Sequence, residues 1–562
     1  MAVSPGVYTK IIDLSEYVRN VPSTIGFLPI ISERGEDNKL IATNNRDFYI
    51  DYGEPNILYG GTYAKQVSQG PYVAGSFMKE SDVLYTVRCL PTNATYANLI
   101  LKAETAGGSG LGLDGTADIS VDWNLSINNE NELDTLVSTT QNPENCIVIY
   151  GIGRGEWYNN FQIDISQHAN PQREGVYILD ILQLQDEEDE TGADQYEIIE
   201  SYEVSFDYRD VDDSAESMYI EDVINRFSRF LRCKSNRDVC LQADVNDRAD
   251  WSQPFRSGAV GTDGGTSGEL FSGGNVVPTV ADELLIKAYT GLLEKTDGDY
   301  LTEVLDIDNV YFSIVLDGGY NTDVKTNGCY VLTTTRRDCI GVIDNGDNYN
   351  VTQSLAARAD DHTFNTRYLA MYEPYSKIFD LFTGRDIWIT PVYHMANIIP
   401  YTENVAELWY APAGFNRATV ATIKELRFSP LQGERELMYL QQLNPIVKFN
   451  VGYTVWGQLT TQKRPSALQD FNVMRLVLYI KRALEQFCKF YIFELNDQYT
   501  WQKVRNEVDS FLKVIKNKRG LYSYEVSVAA TEYELKAKQF HCNVTLRPTK
   551  VVEQISLNLF IK

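Results

Sequence analysis

The chain has 562 residues, 43% of them hydrophobic and 23% charged, with a formal net charge of −27. This length exceeds what one hydrophobic core organises and predicts roughly two to four domains, while the composition is that of a folded protein. So acidic a chain is not one whose whole surface meets nucleic acid.

The charge is unevenly placed. Residues 462–562 carry 17 Lys+Arg against 10 Asp+Glu, a net of +7, which leaves −34 for the rest. That asymmetry predicts one end facing an acidic partner. Tyr is abundant, 36 against 7 Trp. A Tyr surplus suits surfaces that become buried between subunits, and equally a Tyr-rich β protein.

Met1 to Asn20 has no basic stretch followed by an apolar run, so no secretory signal is expected. No apolar run is long enough for a membrane span. Synthesis in the cytosol follows. Cys89, Cys146, Cys233, Cys240, Cys329, Cys339, Cys488 and Cys542 are then expected to be reduced, buried small hydrophobes, since no pair has CxxC spacing. Oxidation later, in a mature particle, stays open.

The chain opens with SPGVYTKIIDLS (Ser4 to Ser15), a β-branched arm that, with Val3 before it, has Val3, Val7, Tyr8, Ile11, Ile12 and Leu14 as apolar positions and too little sequence for a sheet of its own. TIGFLPII (Thr24 to Ile31) predicts the first strand of a globular region. Residues 103–145 turn polar and Gly-rich and predict a surface insertion. Strands are predicted at NCIVIYGI (Asn145 to Ile152), FQIDIS (Phe161 to Ser166) and VYILDILQLQ (Val176 to Gln185). QDEEDE (Gln185 to Glu190) reads as a hairpin tip or solvated loop and lacks the ligand spread of a calcium loop. A Gly-rich loop spans Ser257 to Asn275. YFSIVLDGG (Tyr311 to Gly319) and DCIGVID (Asp338 to Asp344) predict two buried strands joined by a crossover helix.

The C-terminal region is the most periodic. FNVMRLVLYIKRALEQF (Phe471 to Phe487) places Val473, Leu476, Val477, Ile480, Leu484 and Phe487 on one helical face. FYIFE (Phe490 to Glu494) reads as a strand. Tyr499 to Gly520 reads as a second amphipathic helix, with Trp501, Val504, Val508, Phe511 and Ile515 inward and Gly520 as its stop. Strands follow at Tyr522 to Val528, Gln539 to Leu546 and Ile555 to Ile561. The last alternates Ile555, Leu557, Leu559 and Ile561 against polar positions, a pattern that needs a sheet to join. There is no internal repeat of fixed period.

Catalytic chemistry is missing. The Gly-rich runs contain no Lys for a phosphate loop, there is no GxSxG elbow, and no two of the four histidines stand at i,i+4 spacing. GIGRGEW (Gly151 to Trp157) is half a dinucleotide fingerprint followed by a strand pattern instead of a helix. No catalytic residue, metal site or cofactor is expected, and the chain is not expected to be an enzyme.

Several blocks, in order along the chain, resemble the contractile tail sheath family of myophages, R-type pyocins and related injection systems. SPGVYTKIIDLS is similar to the family's opening "SPGVYV-E" arm, and TIGFLPIISERG (Thr24 to Gly35) to its first strand and turn. GRGEWYNNFQIDI (Gly153 to Ile165) resembles "G-WGN-I-V", with Tyr158 in place of the usual Gly. RRDCIGVID (Arg336 to Asp344) is similar to "RDA-A-ID", and ELWYAPAGFNRA (Glu407 to Ala418) to "VWKAPA". LNPIVKFNVGYTVWGQLT (Leu443 to Thr460) resembles "N-I-----G--VWGARTL". FNVMRLVLYIKRALE resembles the "VNVRRL--YIE-SI" helix, and FELNDQYTWQKVRNEVDSFL (Phe493 to Leu512) its "FEPND--LW-RVR--V--FL" continuation.

The resemblance implies an α+β or α/β multidomain fold: a mixed-sheet C-terminal core domain with amphipathic helices, β-rich outer domains, and extended N- and C-terminal strand arms. The expected division is an N-terminal linking arm (1–20), an outer or middle domain in two parts (21–102 and 146–365) around the insertion (103–145), a C-terminal inner domain facing the tube (366–548), and a C-terminal linking arm (549–562). It further implies a virion tail protein, assembled in the host cytoplasm, that polymerises as stacked hexameric rings around a tail tube. Such a sheath contracts without nucleotide hydrolysis to drive the tube through the host envelope for genome delivery. Its partners would be further copies of itself, the tube, and baseplate and tail terminator proteins, with no nucleic acid and no membrane contact. The arms would cross into adjacent copies and add strands to their sheets. Lys513, Lys516, Lys518 and Arg519 are candidates for facing an acidic tube; the alternative is that they only complement the helix C-terminus. Another self-assembling virion protein, or the sheath of a bacterial contractile injection system, are the other readings the sequence leaves open.

Overall fold

The computed structural model describes residues 24–43, 48–55, 69–105, 117–122, 124, 126–138, 145–167, 175–188, 194–212, 214–237, 240, 265–272 and 275–553. The expected N-terminal arm, with Val3, Val7, Tyr8, Ile11, Ile12 and Leu14, and the expected C-terminal arm beyond residue 553, with Ile555, Leu557, Leu559 and Ile561, lie outside the described residues.

The first strands are β1 (Gly26–Ile30), β2 (Ile41–Thr43) and β3 (Leu84–Arg88), followed by β4 (Asn98–Thr105), β5 (Ala117–Asp122) and β6 (Asn145–Gly151). Next come β7 (Phe161–Gln167), β8 (Val176–Glu188), β9 (Asp194–Ser205) and β10 (Leu231–Ser235). The middle of the chain supplies β11 (Ile314–Leu316), β12 (Ile340–Asp344), β13 (Leu369–Glu373), β14 (Ser376–Phe379) and β15 (Asp386–Ile389). Last come β16 (Thr419–Val420), β17 (Ile423–Leu426), β18 (Leu443–Phe449), β19 (Gly452–Val455), β20 (Leu521–Ala529) and β21 (His541–Pro548).

A nine-stranded sheet in the order β16-β19-β18-β13-β12-β11-β1-β3-β2 forms the body. Its middle is parallel, from β3 through β1, β11, β12 and β13 to β18, and both margins are antiparallel. Parallel strands are covered on both faces, which is why β1, β12 and β13 are buried at every residue and apolar but for the carboxylates Asp344 and Glu373 at the ends of β12 and β13. The expected crossover between β11 and β12 is present: residues 322–336 are helical, with Lys325–Cys329 wound as a π-helix. The boundary expected at residue 366 falls between β12 and β13, which are adjacent, hydrogen-bonded strands of this one sheet.

A four-stranded sheet, β10-β6-β4-β5, and a three-stranded one, β7-β8-β9, share a second core built on Phe161, Ile163, Leu179, Ile181 and Val204. Within residues 103–145 the loop reading is corrected for the described residues, while the Gly-rich stretch 106–116 lies outside them. β4 and β5 pair over six residues, and α1 (Glu130–Leu136) buries Leu133, its first turn capped by the Asn129 side chain. Turn-type residues at its start are capping chemistry, not a loop. β8 and β9 pair antiparallel, from Val176↔Ser205 to Glu188↔Asp194, so Gln185–Glu188 of the acidic run end β8 while Asp189 and Glu190 lie outside the described residues.

GIGRGEW serves packing. A Cβ on Gly153 would lie 2.0 Å from the Gly35 carbonyl oxygen, so only glycine allows the two loops to meet. Arg154, 2% exposed, pairs with buried Asp37 at 2.6 Å. Arg88 donates to the carbonyls of Ser32, Glu33, Gly35 and Arg154 and ties the junction together.

A buried ion cluster sits at the carboxyl ends of β11 and β12. Lys325 Nζ lies 2.7 Å from Asp344 and 3.5 Å from Asp317, all three at most 2% exposed. Burial pushes the Asp317 carboxyl up, against the pull of Lys325. For Asp344 burial acts the same way, but Lys325, Thr390 and the Gly346 N–H outweigh it and hold the carboxyl below its usual range.

Candidate assembly interface

The C-terminal region forms its own small body, joined to the central sheet by one helix. α2 (Phe471–Lys489) starts two residues after an ST-type turn at Ser466–Gln469 and contributes to two cores at once. Phe471, Met474 and Leu478 pack into the central-sheet core, while Leu476 and Ile480 face the C-terminal one. The single apolar face expected for this helix is therefore too narrow: its first half is buried nearly all round.

α3 (Gln498–Asn517) begins at Asp497, whose side chain accepts from the Thr500 N–H at 2.9 Å. It buries Val504, Val508, Leu512 and Ile515, a 4-4-3 spacing that makes one stripe. Trp501 and Phe511, expected inward, are half-buried, and Leu512 was not anticipated. The helix stops at Arg519, which takes a left-handed backbone at φ 68°, and the Gly520 N–H closes on the Ile515 carbonyl at 2.9 Å. A Cβ on Gly520 would meet Ile515 at 2.7 Å and the Trp409 ring at 3.1 Å.

The strand expected at FYIFE is corrected to a tight turn. α2 runs on to Lys489, and successive i→i+3 bonds from Phe490, Tyr491 and Ile492 tighten the chain before Phe493 reverses it at φ 76°. A run this short and apolar is read as a strand by composition, but among the described residues no strand pairs with it.

β20 and β21 pair antiparallel from Leu521↔Pro548 to Ala529↔His541. One face, with Val526, Val528, Cys542, Val544 and Leu546, packs toward α3 and α2. Among the described residues no third strand joins either edge. Along β21, exposed and half-buried residues alternate throughout and none is fully buried, so its inner face is only partly covered. An isolated two-stranded ribbon with two open edges is a template for further strands.

Both ends of the described chain converge near the start of α2. The Arg475 guanidinium donates to Thr24 Oγ1 at 2.6 Å, and Tyr439 donates to the Glu553 carboxylate at 2.5 Å, beside Asp470. Thr549 N–H bonds the Gly520 carbonyl at 3.2 Å.

Lys513, Lys516, Lys518 and Arg519 are all exposed at the end of α3. Lys518 pairs with Glu407 at 2.7 Å, and Lys516 stands 6.0 Å from the Tyr524 ring centre. They share one helix end, but the expected tube contact has no counterpart in a single chain. The eight cysteines are free thiols, six of them buried and Cys488 and Cys542 half-buried. Among the described residues no group of three or more His, Cys, Asp or Glu could hold a metal ion, and no helix is long and apolar enough to cross a membrane.

Residues 463–562 match the family described as phage tail sheath C-terminal domain. The tail sheath protein of Vibrio phage KVP40 is 28% identical over 206 residues, covering 36% of this chain and 31% of that protein. The tail sheath protein of Enterobacteria phage T4 is 26% identical over 239 residues, covering 41% of this chain and 36% of that protein. The matches thus span about a third of these relatives' length. The crystal structure of the sheath tail protein of Listeria innocua has the same fold, with a TM-score of 0.51, 10% identity, and coverage of 94% of this chain and 93% of that one. Over these residues the chain is similar to the tail sheath proteins of phages.

Proposed function

We propose that this chain is the repeating subunit of a contractile sheath. Copies polymerise helically, as stacked six-fold rings, around a tail tube, between a baseplate and a terminator. The open ribbon β20–β21 carries this reading. Among the described residues both its edges are unpaired, and the chain continues at each end into a strand-like sequence, residues 3–14 and 555–561. Donated to adjacent copies, those segments would complete the ribbon to a larger sheet. Each added strand contributes several backbone hydrogen bonds of about 0.5–1.5 kcal/mol net apiece, besides side-chain burial. Because donor and acceptor surfaces differ, the contact propagates instead of closing.

Contraction on this reading uses free energy stored in a metastable extended lattice, released as the bodies repack into a wider, shorter helix. Strand connections let subunits rotate without parting. The tube driven through the envelope would then deliver the genome. The exposed cations at the end of α3 suit weak, breakable contacts with an acidic tube.

Deleting residues 1–20 or residues 555–562 tests this. Each deletion should abolish cylinders seen by electron microscopy while leaving the melting of the body unchanged. Cylinders formed by both truncated chains would overturn the strand-donation reading.

A further inference from the structure

The helix Gln432–Leu440 carries two leucines on the side that a surface helix ordinarily gives to polar residues. Met438 is buried in the central-sheet core, and Leu440, two positions on, points the other way and is 70% exposed. Leu437, at i,i+3 spacing from it, is 51% exposed. Residues so spaced are neighbours on a helix surface, and the pair forms one apolar step on the outside of the body.

The last described residues run directly to this step. Thr549 N–H bonds the Gly520 carbonyl at 3.2 Å, Lys550 lies beside Asp470, and Glu553 accepts from the Tyr439 hydroxyl at 2.5 Å. Tyr439 belongs to the same helix and stands between the two leucines in sequence. The chain is thereby fastened to this helix two residues before Ile555 opens the alternating run Ile555, Leu557, Leu559 and Ile561.

We infer that, before assembly, the chain's own residues 554–562 rest with their apolar face on Leu437 and Leu440, and that this parked position delays donation of the segment to an adjacent copy. The inference rests on the strand-donation reading above and adds its regulation. Tether length selects the occupant. Both leucines lie within one helical turn, about 5 Å along the axis, of Tyr439. From Glu553 the chain covers ~13 Å by Leu557, so Ile555 and Leu557 come to the leucines at once. The other undescribed segment enters the described chain at Thr24, held by Arg475, five residues beyond Asp470 on α2. Its strand-like arm, Val3 to Leu14, ends ten positions before that anchor, and ordering ten residues of tether costs more entropy than ordering two.

The parked contact is the weaker of the two open to the segment. The helix offers it side chains, since the backbone groups of the helix middle are paired with one another, whereas a ribbon edge supplies backbone hydrogen bonds as well. The segment is held until a neighbour presents an edge, and only the unparked fraction is competent to join.

The test uses the full chain, first as monomer below the concentration at which cylinders form, then in cylinders. Leu440 is replaced by the photo-crosslinker benzoylphenylalanine, and the irradiated chains are digested and mapped. In the monomer a crosslink within one chain to residues 554–562 is expected, and in cylinders it should be lost. A monomer crosslink to residues 1–23 or to a second copy, no crosslink, or one that persists unchanged in cylinders overturns the inference. In parallel, Leu437→Ser combined with Leu440→Ser alters only exposed side chains and should leave melting unchanged, while the lag before cylinders appear shortens roughly threefold or more. An unchanged lag would refute the parking, and so would a longer one, the result expected if these leucines bind a second copy. Either failure leaves the sheath reading intact, whereas failure of the unaltered chain to assemble would refute that reading and the regulation with it.

Discussion

Trp409 donates its indole N–H to the carbonyl of Lys518, 3.2 Å away, and so fastens the end of α3 to the segment that leads out of the central body. The same ring covers Gly520, where no side chain fits. Gly520→Ala should therefore destabilise the protein by ~1–3 kcal/mol through overpacking, and Trp409→Ala by ~3–5 kcal/mol through the cavity it leaves. Urea denaturation followed by far-ultraviolet circular dichroism reads both. A change below ~0.5 kcal/mol in either would contradict the packing described.

Among the described residues Lys325 is the one cation paired with Asp317 and Asp344 in their buried cluster. Lys325→Met keeps much of the side-chain volume but leaves two carboxyls facing each other without a countercharge. The expected loss is ~3–5 kcal/mol, the usual result of breaking a buried pair from one side. Adding Asp344→Asn to that variant should recover part of it, which the denaturation midpoint of the double variant measures.

Glu373 is fully buried, and burial pushes its carboxyl up to about 7, despite hydrogen bonds from Asn345 and Asn348. In the unfolded chain it ionises in the ordinary range, so between roughly pH 4.5 and 7 only the folded state keeps the proton. Its contribution to stability consequently falls as pH rises through that window. Glu373→Gln mimics the protonated acid. Relative to the natural chain the variant should gain on the order of 3 kcal/mol between pH 4.5 and 8. Other titrating groups, such as buried His394 with its pKa lowered to about 3, cancel in that difference. A pH-independent difference would show that Glu373 is ionised in the fold.

Reversing Lys513, Lys516 and Arg519 to Glu concerns only exposed side chains. Stability should shift by no more than the ~0.3–1 kcal/mol that each helix-end charge contributes. Co-sedimentation of sheath with tubes should fall and become less sensitive to salt. If only the melting changes, these residues serve the helix end and not the tube.

Much of the architecture was legible because it follows local rules. The apolar runs at Gly26–Ile30 and Ile340–Asp344 are parallel strands buried on both faces, and the 4-4-3 stripe from Val504 to Ile515 is a helix over a ribbon. Where the reading failed, non-local or stereochemical facts decided. FYIFE has strand composition, yet the end of α2 and the left-handed Phe493 make it a turn. Polar residues 126–132 resemble a loop, yet Asn129 is the cap of a helix that buries Leu133. α2 is buried on two sides because it lies between two bodies, which periodicity along one segment does not encode. The arm positions Val3 to Leu14 and Ile555 to Ile561 lie outside the described residues, and the role of Lys513 to Arg519 depends on a partner. Those expectations stand as proposals.

Cryo-electron microscopy of the purified full-length protein, assembled and reconstructed at side-chain resolution, tests the central claim most directly. A hollow helical cylinder is predicted in which both edges of the Leu521–Ala529 and His541–Pro548 ribbon are occupied by strands arriving from other subunits. A reconstruction in which residues 3–14 and 555–561 pair within their own chain, or particles that remain monomeric, would contradict it.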